Sequence, residues 1–169
     1  RMHIECEIPA RGLIGLRSHM LTATAGEAVM YHCFHKYAPT RTTMYRRANG
    51  VLIATAPGQA TTYAMLNISQ RGVLFVEPQD VIYGGQIVGE NSRDNDLEVN
   101  IIKGKAFSNV RESNKEATTV LKASREITLE SALEYIQDDE FVEITPEAIR
   151  VRKRELSETK RKQIARNNK

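Results

Sequence analysis

The segment 102–116, IKGKAFSNVRESNKE, carries side chains that could contact a nucleic acid. Its four cations could neutralise phosphates, its short polar side chains could bond to sugar and phosphate oxygens, and its phenylalanine could stack on a base. An ordinary solvated loop is the alternative interpretation. The residues predicted to contact RNA in this segment are Lys103, Lys105, Phe107, Ser108, Asn109, Arg111 and Lys115.

A second cationic pattern lies in a predicted strand over residues 149–154. The period of two in a strand places Ile149 and Val151 on one face and three arginines on the other. Planar guanidinium groups in such a row could bind successive phosphates. The alternative is that they pair with acids of the preceding strand, where Glu143 lies. The predicted contacts are Arg150, Arg152 and Arg154.

Charge is segregated along the chain, although the net charge is only +3. Residues 126–147 contain eight carboxylates and no Lys or Arg, whereas residues 148–169 contain nine cations and two carboxylates. A cationic terminus of this kind is typical of proteins that bind polyanions, although solvated charged ends are also common. For residues 157–169 we expect a basic tail that is helical or disordered, with disorder as the default.

Other candidate chemistry is weakly supported. Strand alternation would send His32 to the side opposite Cys33 and His35, and no paired C-x-x-C spacing favours zinc. The three acids at 138–140 follow a predicted helix and are expected to diverge into water rather than form a catalytic pair. We therefore predict no catalytic residue, no metal ligand and no bound cofactor in this chain.

The composition is that of an ordinary globular protein, with 41% hydrophobic and 27% charged residues. No apolar run approaches the roughly 18 residues that a membrane span needs, and the amino-terminal segment lacks the apolar core of a secretory signal. Two widely separated cysteines do not form a disulfide framework. These features predict a cytoplasmic protein with no membrane partner.

The elements that must position these residues fall into two groups. A strand over 3–8, a helix from about Leu13 with a stop at Gly26, and a strand over 28–37 make a first unit. Short β runs separated by turn residues then follow over 51–55, 61–68, 73–76, 86–89 and 97–102. Next come one main helix with Thr128 as its N-cap and two strands, 141–145 and 149–154.

Two stretches resemble known families. The segment IPARGLIGLRSHMLTATAGEAVMYHCFHKY resembles the second half of the ferredoxin-like fifth domain of elongation factor G and its relatives. Its RGLIGLRS variant is followed by NGVLIA, YGGQIVGENSRDNDLEVN, KGKAFSNVR and ITLESALEYIQDDEFVEITPEAIRVRKR. In this order they resemble the carboxyl-terminal half of the TypA/BipA family of ribosome-associated translational GTPases.

This resemblance covers essentially the whole chain and implies an α+β fold. It implies a partial ferredoxin-like βαβ unit over residues 1–42, a β-rich carboxyl-terminal domain with one main helix over 43–156, and the basic tail over 157–169. It also implies a carboxyl-terminal fragment, because nothing here fits the phosphate-binding pattern G-x-x-x-x-G-K-[ST]. GTP and Mg would then belong to a GTPase domain outside this sequence.

The family's role implies the partners. These are the ribosome, large-subunit rRNA and A-site tRNA, in translation under stress and in assembly of the large subunit. The segment 103–118 would reach toward the peptidyl transferase centre and the acceptor end of that tRNA. A different class of function stays open, in which the incomplete first unit completes its sheet by strand exchange and the chain forms a homodimer.

Overall fold

The structure is a computed structural model and describes residues 2–39, 47–104 and 120–167. It confirms the α+β class, with helices packed on a mixed sheet. The α-helices are α1 Leu16–Ala23, α2 Thr62–Ile68, α3 Leu129–Tyr135 and α4 Glu158–Asn167. The strands are β1 Val51–Ala54, β2 Gly58–Gln59, β3 Gly72–Leu74, β4 Val81–Ile82, β5 Gln86–Asn91, β6 Leu97–Val99, β7 Glu140–Ile144 and β8 Ile149–Lys153.

Within the described ranges the main sheet has six strands, with the order β6-β1-β5-β8-β7 and with β3 also paired to β5. β1 runs parallel to β6, whereas the pairs of β5 with β1, β3 and β8 are antiparallel. β3 and β8 lie end to end along one edge of β5, because β3 pairs with residues 89–91 and β8 with residues 86–87. The sheet therefore forks beyond Ile87.

The core lies on both faces of this sheet. The continuous apolar run of β1 is typical of a strand covered on both sides, and all four of its residues are buried. Leu52 packs on one face with Met65 of α2, and Ile53 packs on the other face with Ala132 of α3. Each such fully buried aliphatic side chain stabilises the fold by about 1.5–3 kcal/mol.

Residues 62–68 form the helix α2, so the strand predicted over residues 61–68 is wrong. Thr61 is the N-cap, and its Oγ1 accepts a hydrogen bond from the Ala64 N–H at 3.2 Å. The buried residues of α2 are Ala64, Met65 and Ile68, whose spacing fits a helix and not the period of two of a strand. The β-propensity of the Thr-Thr-Tyr sequence is thus overridden by a cap and an apolar helical face.

The first unit is only partly as predicted. α1 forms, and Gly26 ends it with φ 88° while its N–H donates to the Leu21 carbonyl at 2.7 Å. The predicted strands over 3–8 and 28–37 are wrong, since no described residue provides a ladder partner for either segment. The two segments touch through the carboxylate of Glu7, which lies 3.0 Å from His35 and 3.1 Å from Lys36.

The carboxyl-terminal elements match the sequence closely. Thr128 caps α3, and its side chain and that of Ser131 each accept a hydrogen bond from the other residue's backbone N–H. β7 and β8 form the expected hairpin, in which Val142 faces Val151 and Glu143 faces Arg150. Residues 158–167 are helical, which decides between the two states expected for the tail over this range.

Candidate nucleic-acid interface

Of the RNA contacts predicted in segment 102–116, only Lys103 is among the described residues. Lys105, Phe107, Ser108, Asn109, Arg111 and Lys115 lie outside the described residues, and their contacts stay a prediction. Lys103 is described, with an exposed side chain and a carbonyl that accepts a hydrogen bond from Thr61 Oγ1 at 2.7 Å. Ile102 packs against the core beside α2. Lys103 is therefore held next to the amino-terminal end of α2.

The arginines of β8 lie on the face predicted for them. Val151 is buried in the core beneath α3, and alternation places Arg150 and Arg152 on the opposite face. Arg154 follows the strand and is exposed, and its backbone N–H donates to the Asp139 carbonyl at 2.7 Å. The three guanidinium groups thus follow one another along the hairpin, but they differ in their surroundings.

Arg152 is neutralised within the hairpin. Its Nε lies 2.5 Å from Oε1 of Glu143, and Oε2 of the same carboxylate accepts a hydrogen bond from the Tyr83 hydroxyl at 2.5 Å. Burial, reinforced by this bond to Glu143, raises the pKa of Tyr83 above its ordinary value. The alternative of pairing with the preceding strand therefore describes Arg152, and its charge is only partly available to a ligand.

The other two arginines differ from Arg152 in their surroundings: Arg154 is exposed and Arg150 is half-buried. Among the described residues, no carboxylate lies within ion-pair distance of Arg150 or Arg154. Arg152 and Arg154 both lie near the Phe141 ring, with guanidinium carbons 5.2 and 6.0 Å from its centroid. The Phe141 residue is 43% exposed. An open aromatic ring flanked by arginines can stack on a base while the guanidinium groups contact phosphate.

Lys153 belongs to the core face of β8 and not to the arginine face. Its Nζ lies 2.7 Å from Asp96, 2.8 Å from Asp139 and 2.9 Å from Glu140. Burial alone would lower the pKa of Lys153, but hydrogen bonds to Asp139 and Asp96 and the charge of Glu140 together raise it. This lysine therefore serves the fold and is not available to RNA.

Glu140 is the centre of this ion cluster, and the prediction that the acids at 138–140 all diverge into water is wrong for it. Its side chain is fully buried and accepts two hydrogen bonds from Arg47, at 2.5 and 2.6 Å. Arg47 also donates to the Tyr135 carbonyl at 3.1 Å. Sequence reasoning missed this cluster, although a lysine on the core-facing side of β8 was a signal that buried carboxylates must exist.

α4 is attached to the sheet by one arginine. Arg161 lies 2.5 Å from the Glu98 carboxylate of β6 and donates to the carbonyls of Glu155 and Leu156 at 2.7 and 2.8 Å. The remaining cations of the helix are exposed, and Lys162 forms an ion pair with Glu158 at 2.5 Å. The exposed cations of α4 are Lys160, Lys162 and Arg166.

Residues 2–39, 47–104 and 120–167 contain neither a candidate metal site nor a helix suited to span a membrane. In those ranges no group of three or more His, Cys, Asp or Glu side chains is arranged to hold a metal ion. No helix of the same ranges has the length and apolar character needed to cross a membrane. The cysteines Cys6 and Cys33 are free and exposed.

Comparison with known proteins places these features in a family. Residues 49–158 match the family described as "TypA/BipA C-terminal domain", and residues 1–48 match "Elongation factor G C-terminus". Proteins named "Large ribosomal subunit assembly factor BipA" are 44% identical over 163 residues in Bacillus subtilis and 43% identical over 167 residues in Haemophilus influenzae. The protein of that name in Synechocystis is 45% identical over 153 residues.

The coverage of these matches is unequal. They span 96%, 98% and 90% of this chain, but only 27%, 27% and 26% of the respective relatives. The chain thus spans about a quarter of the length of the curated relatives that it matches. The resemblance inferred from the sequence is confirmed, and the chain belongs to the TypA/BipA family.

Proposed function

We propose that this chain binds RNA of the large ribosomal subunit. The observation that carries the proposal is the similarity, over at least 90% of the chain, to proteins named large ribosomal subunit assembly factors. An assembly factor of that subunit works on a particle rich in RNA, so its binding surface should display cations to phosphates. In the proposed role, the chain supplies contacts to rRNA and to A-site tRNA and carries out no nucleotide chemistry.

The surface beside the β7–β8 hairpin supports this role. Arg150 and Arg154 have no carboxylate partner among the described residues, and Phe141 is 43% exposed beside the guanidinium groups of Arg152 and Arg154. Arg152 contributes mainly by holding the platform in place, since Glu143 neutralises it. We call Phe141, Arg150 and Arg154 the arginine platform.

The exposed face of α4 supports it as well. Lys160 and Arg166 project from a helix whose position is fixed by Arg161, so they present charge from an ordered support. Exposed cations of this kind act mainly through counterion release and carry little sequence information. We expect the platform to orient the chain on RNA and α4 to add affinity, with the residues predicted in segment 102–116 as further contacts.

The activity of a whole TypA/BipA protein is a separate part of the proposal. No G-x-x-x-x-G-K-[ST] pattern occurs in the 169 residues, so GTP hydrolysis and its Mg would reside in a part of the relatives that this chain does not match. We expect a cytoplasmic setting and a role in translation under stress, with this chain docking the protein on the ribosome.

Co-sedimentation with purified large subunits over a series of salt concentrations tests the proposal. We expect affinity to fall by roughly 0.7–0.9 log units per log unit of salt for each phosphate contacted. The variant Arg150→Gln/Arg154→Gln should lower that slope by about two, since one phosphate contact is lost per arginine. A Lys105→Ala/Arg111→Ala/Lys115→Ala variant should likewise weaken binding without unfolding the domain.

The matched control is Arg71→Gln/Arg93→Gln, which removes two other exposed arginines of the same domain. It should leave the slope unchanged if the platform is the specific contact. Equal slopes for the platform variant and the wild type would contradict the platform. Binding that is absent at every salt concentration would contradict RNA binding by the chain as a whole.

Self-association is a second candidate function, supported by a different observation. The apolar side chains of residues 28–37 are largely exposed, with Tyr31 and Tyr37 more than 90% open, and the strands predicted on either side of α1 are not formed. Two copies could complete those strands by exchange. Sedimentation equilibrium would then show a dimer whose dissociation constant changes little with salt, in contrast to RNA binding.

A further inference from the structure

A groove of about 750 Å³ lies where the main sheet forks. One wall is the chain that continues β3 through residues 75–81, and the other is the start of β8 with the turn before it. Residues 124–127 line it from a third side, where Arg125 N–H donates to the Leu74 carbonyl at 2.8 Å. The arginine platform has no part in this groove except for Arg150, which lies on its border.

The fork leaves one backbone position of β8 without a ladder partner. Lys153 N–H donates to the Gly85 carbonyl at 3.0 Å, and Val151 is paired with Ile87, so alternate residues of β8 face β5. Ile149 is next in that series and would meet Gly89, but Gly89 is already paired with Leu74. Among the described residues, the side of Ile149 that faces the groove therefore has no backbone pairing.

The groove also has an apolar lining. Phe75, Ile127 and Ile149 are partly buried and pack on the core beneath α3, so they form a fixed floor. Val81 and Ile144 at the rim are 66% and 64% exposed. The unpaired backbone position at Ile149, beside exposed apolar side chains, offers a short edge to which an extended peptide can add as a strand.

The charge of the rim indicates the kind of peptide. Four carboxylates line the groove, from Glu77, Asp80, Glu126 and Glu147, against the single guanidinium of Arg150. This surplus of negative charge disfavours RNA and favours a cationic ligand. The partner must also be extended, because the backbone edge is reached only by a chain in β conformation.

We propose that the groove binds a basic, extended segment of a partner protein. The segment adds its backbone to Ile149 of β8, places apolar side chains on the Phe75 and Ile127 floor, and directs Lys or Arg side chains toward Glu126 and Glu147. The chain would thus contact polyanions through the platform and polycations through the groove. The proposal does not depend on RNA binding.

Fluorescence anisotropy with a labelled synthetic peptide tests it. The probe has about six residues of alternating Lys and Val, the length of an ordinary strand, and is titrated with the whole chain. We expect saturable binding that Glu126→Gln/Glu147→Gln weakens about tenfold through the loss of two exposed ion pairs. The control Glu5→Gln/Glu27→Gln removes two exposed carboxylates outside the groove and should leave affinity unchanged.

Two further experiments test whether the peptide adds as a strand and whether the groove is separate from the RNA surface. Peptides N-methylated on alternate amides lose the donors of one strand edge, so one of the two methylated registers should lose binding while the other keeps it. Equal binding by both would overturn strand addition. Arg150→Gln should strengthen peptide binding and weaken RNA binding, so the two sites respond with opposite sign.

The remaining outcomes overturn the proposal. If the peptide does not bind, the groove is not a peptide site. If the control variant weakens binding as much as Glu126→Gln/Glu147→Gln does, the attraction comes from the net charge of the chain and not from the groove. Displacement of the peptide by oligouridylate would make the groove part of an RNA surface. A dimer in light scattering that the peptide dissociates would assign the groove to a second copy of the chain.

Discussion

Residues 2–39 and the domain that begins near residue 47 both contain apolar side chains, but the two regions bury them to different extents. No residue in 2–39 is buried, whereas β1 of the domain is buried on both faces. Both regions contain stretches that alternate or run apolar in the way strands do. Among the residues that the structure describes, other segments supply ladder partners for these stretches in the domain but not in residues 2–39.

This difference shows that an apolar pattern is a requirement for a strand but does not suffice to make one. Backbone groups need a partner strand, and side chains need a covering layer, before folding offsets the loss of conformational entropy. α1 forms in the first region because a helix satisfies its own backbone groups locally. Its described link to α3 is Glu134, which contacts His19 and lies against Gly15 at φ 76°.

The largest expected effect tests the charged part of the domain core. Glu140→Gln removes the buried carboxylate shared by Arg47 and Lys153, so the free energy of unfolding should fall by about 3–5 kcal/mol. Urea unfolding followed by circular dichroism measures it. Asp139→Asn is the control, because its carboxylate binds the same lysine but is 62% exposed, and it should cost at most about 1 kcal/mol.

The next effect compares the two regions directly. Leu52→Ala removes a fully buried side chain of β1 and should destabilise the domain by about 3 kcal/mol. Ile4→Ala removes a side chain that is 67% exposed in the first region, and the change should stay within about 0.5 kcal/mol. Similar losses in urea unfolding would mean that residues 2–39 are packed in solution, which would remove the contrast.

A smaller effect concerns the attachment of α4. Arg161→Gln loses the ion pair with Glu98 and weakens the bonds to the carbonyls of Glu155 and Leu156, at a cost of about 1–2 kcal/mol. The amides of residues 158–167 should then exchange faster with solvent. Lys162→Gln, which loses only an exposed pair with Glu158, should leave that exchange nearly unchanged.

The smallest effect is a gradual loss of stability in alkali. The pKa of Lys153 is raised above its ordinary 10.5 and that of Tyr83 above its ordinary 10.0, so the folded state holds these protons more tightly. Above about pH 10 the unfolded chain releases them first, and stability falls by at most about 1.4 kcal/mol per pH unit for each group. Urea midpoints across this range measure it.

A pair of tyrosine variants tests whether Tyr83 contributes to the loss of stability at alkaline pH. Tyr83→Phe removes one of the titrating groups together with its bond to Glu143, and it should make the alkaline slope shallower. Tyr63→Phe changes a tyrosine that is 42% exposed and should leave the slope as it is in the wild type. If Tyr83→Phe does not change the dependence of stability on pH, Tyr83 does not contribute, and the alkaline loss comes from Lys153 and the other buried groups.

Prediction from sequence succeeded where the signal was local. The cap at Thr128 and the turn between β7 and β8 lie within a few residues of the elements that they define. It failed at α2, where the β-branched and aromatic residues at 61–63 suggested a strand although the buried positions repeat with helical spacing. It also missed the burial of Glu140, because its partner Arg47 lies 93 residues away in the chain.

The sequence alone determined the family, the α+β class and the location of basic charge near the carboxyl terminus, because these depend on composition, order and short-range pattern. The tertiary structure decided which charges are available. Lys153 is buried among carboxylates and Arg152 is paired with Glu143, whereas Arg150 and Arg154 have no carboxylate partner in the described ranges. The physical reason is that a charge is neutralised by the groups that surround it in space, and those groups are set by the register of the β7–β8 hairpin and by packing against residues as distant in the chain as Arg47.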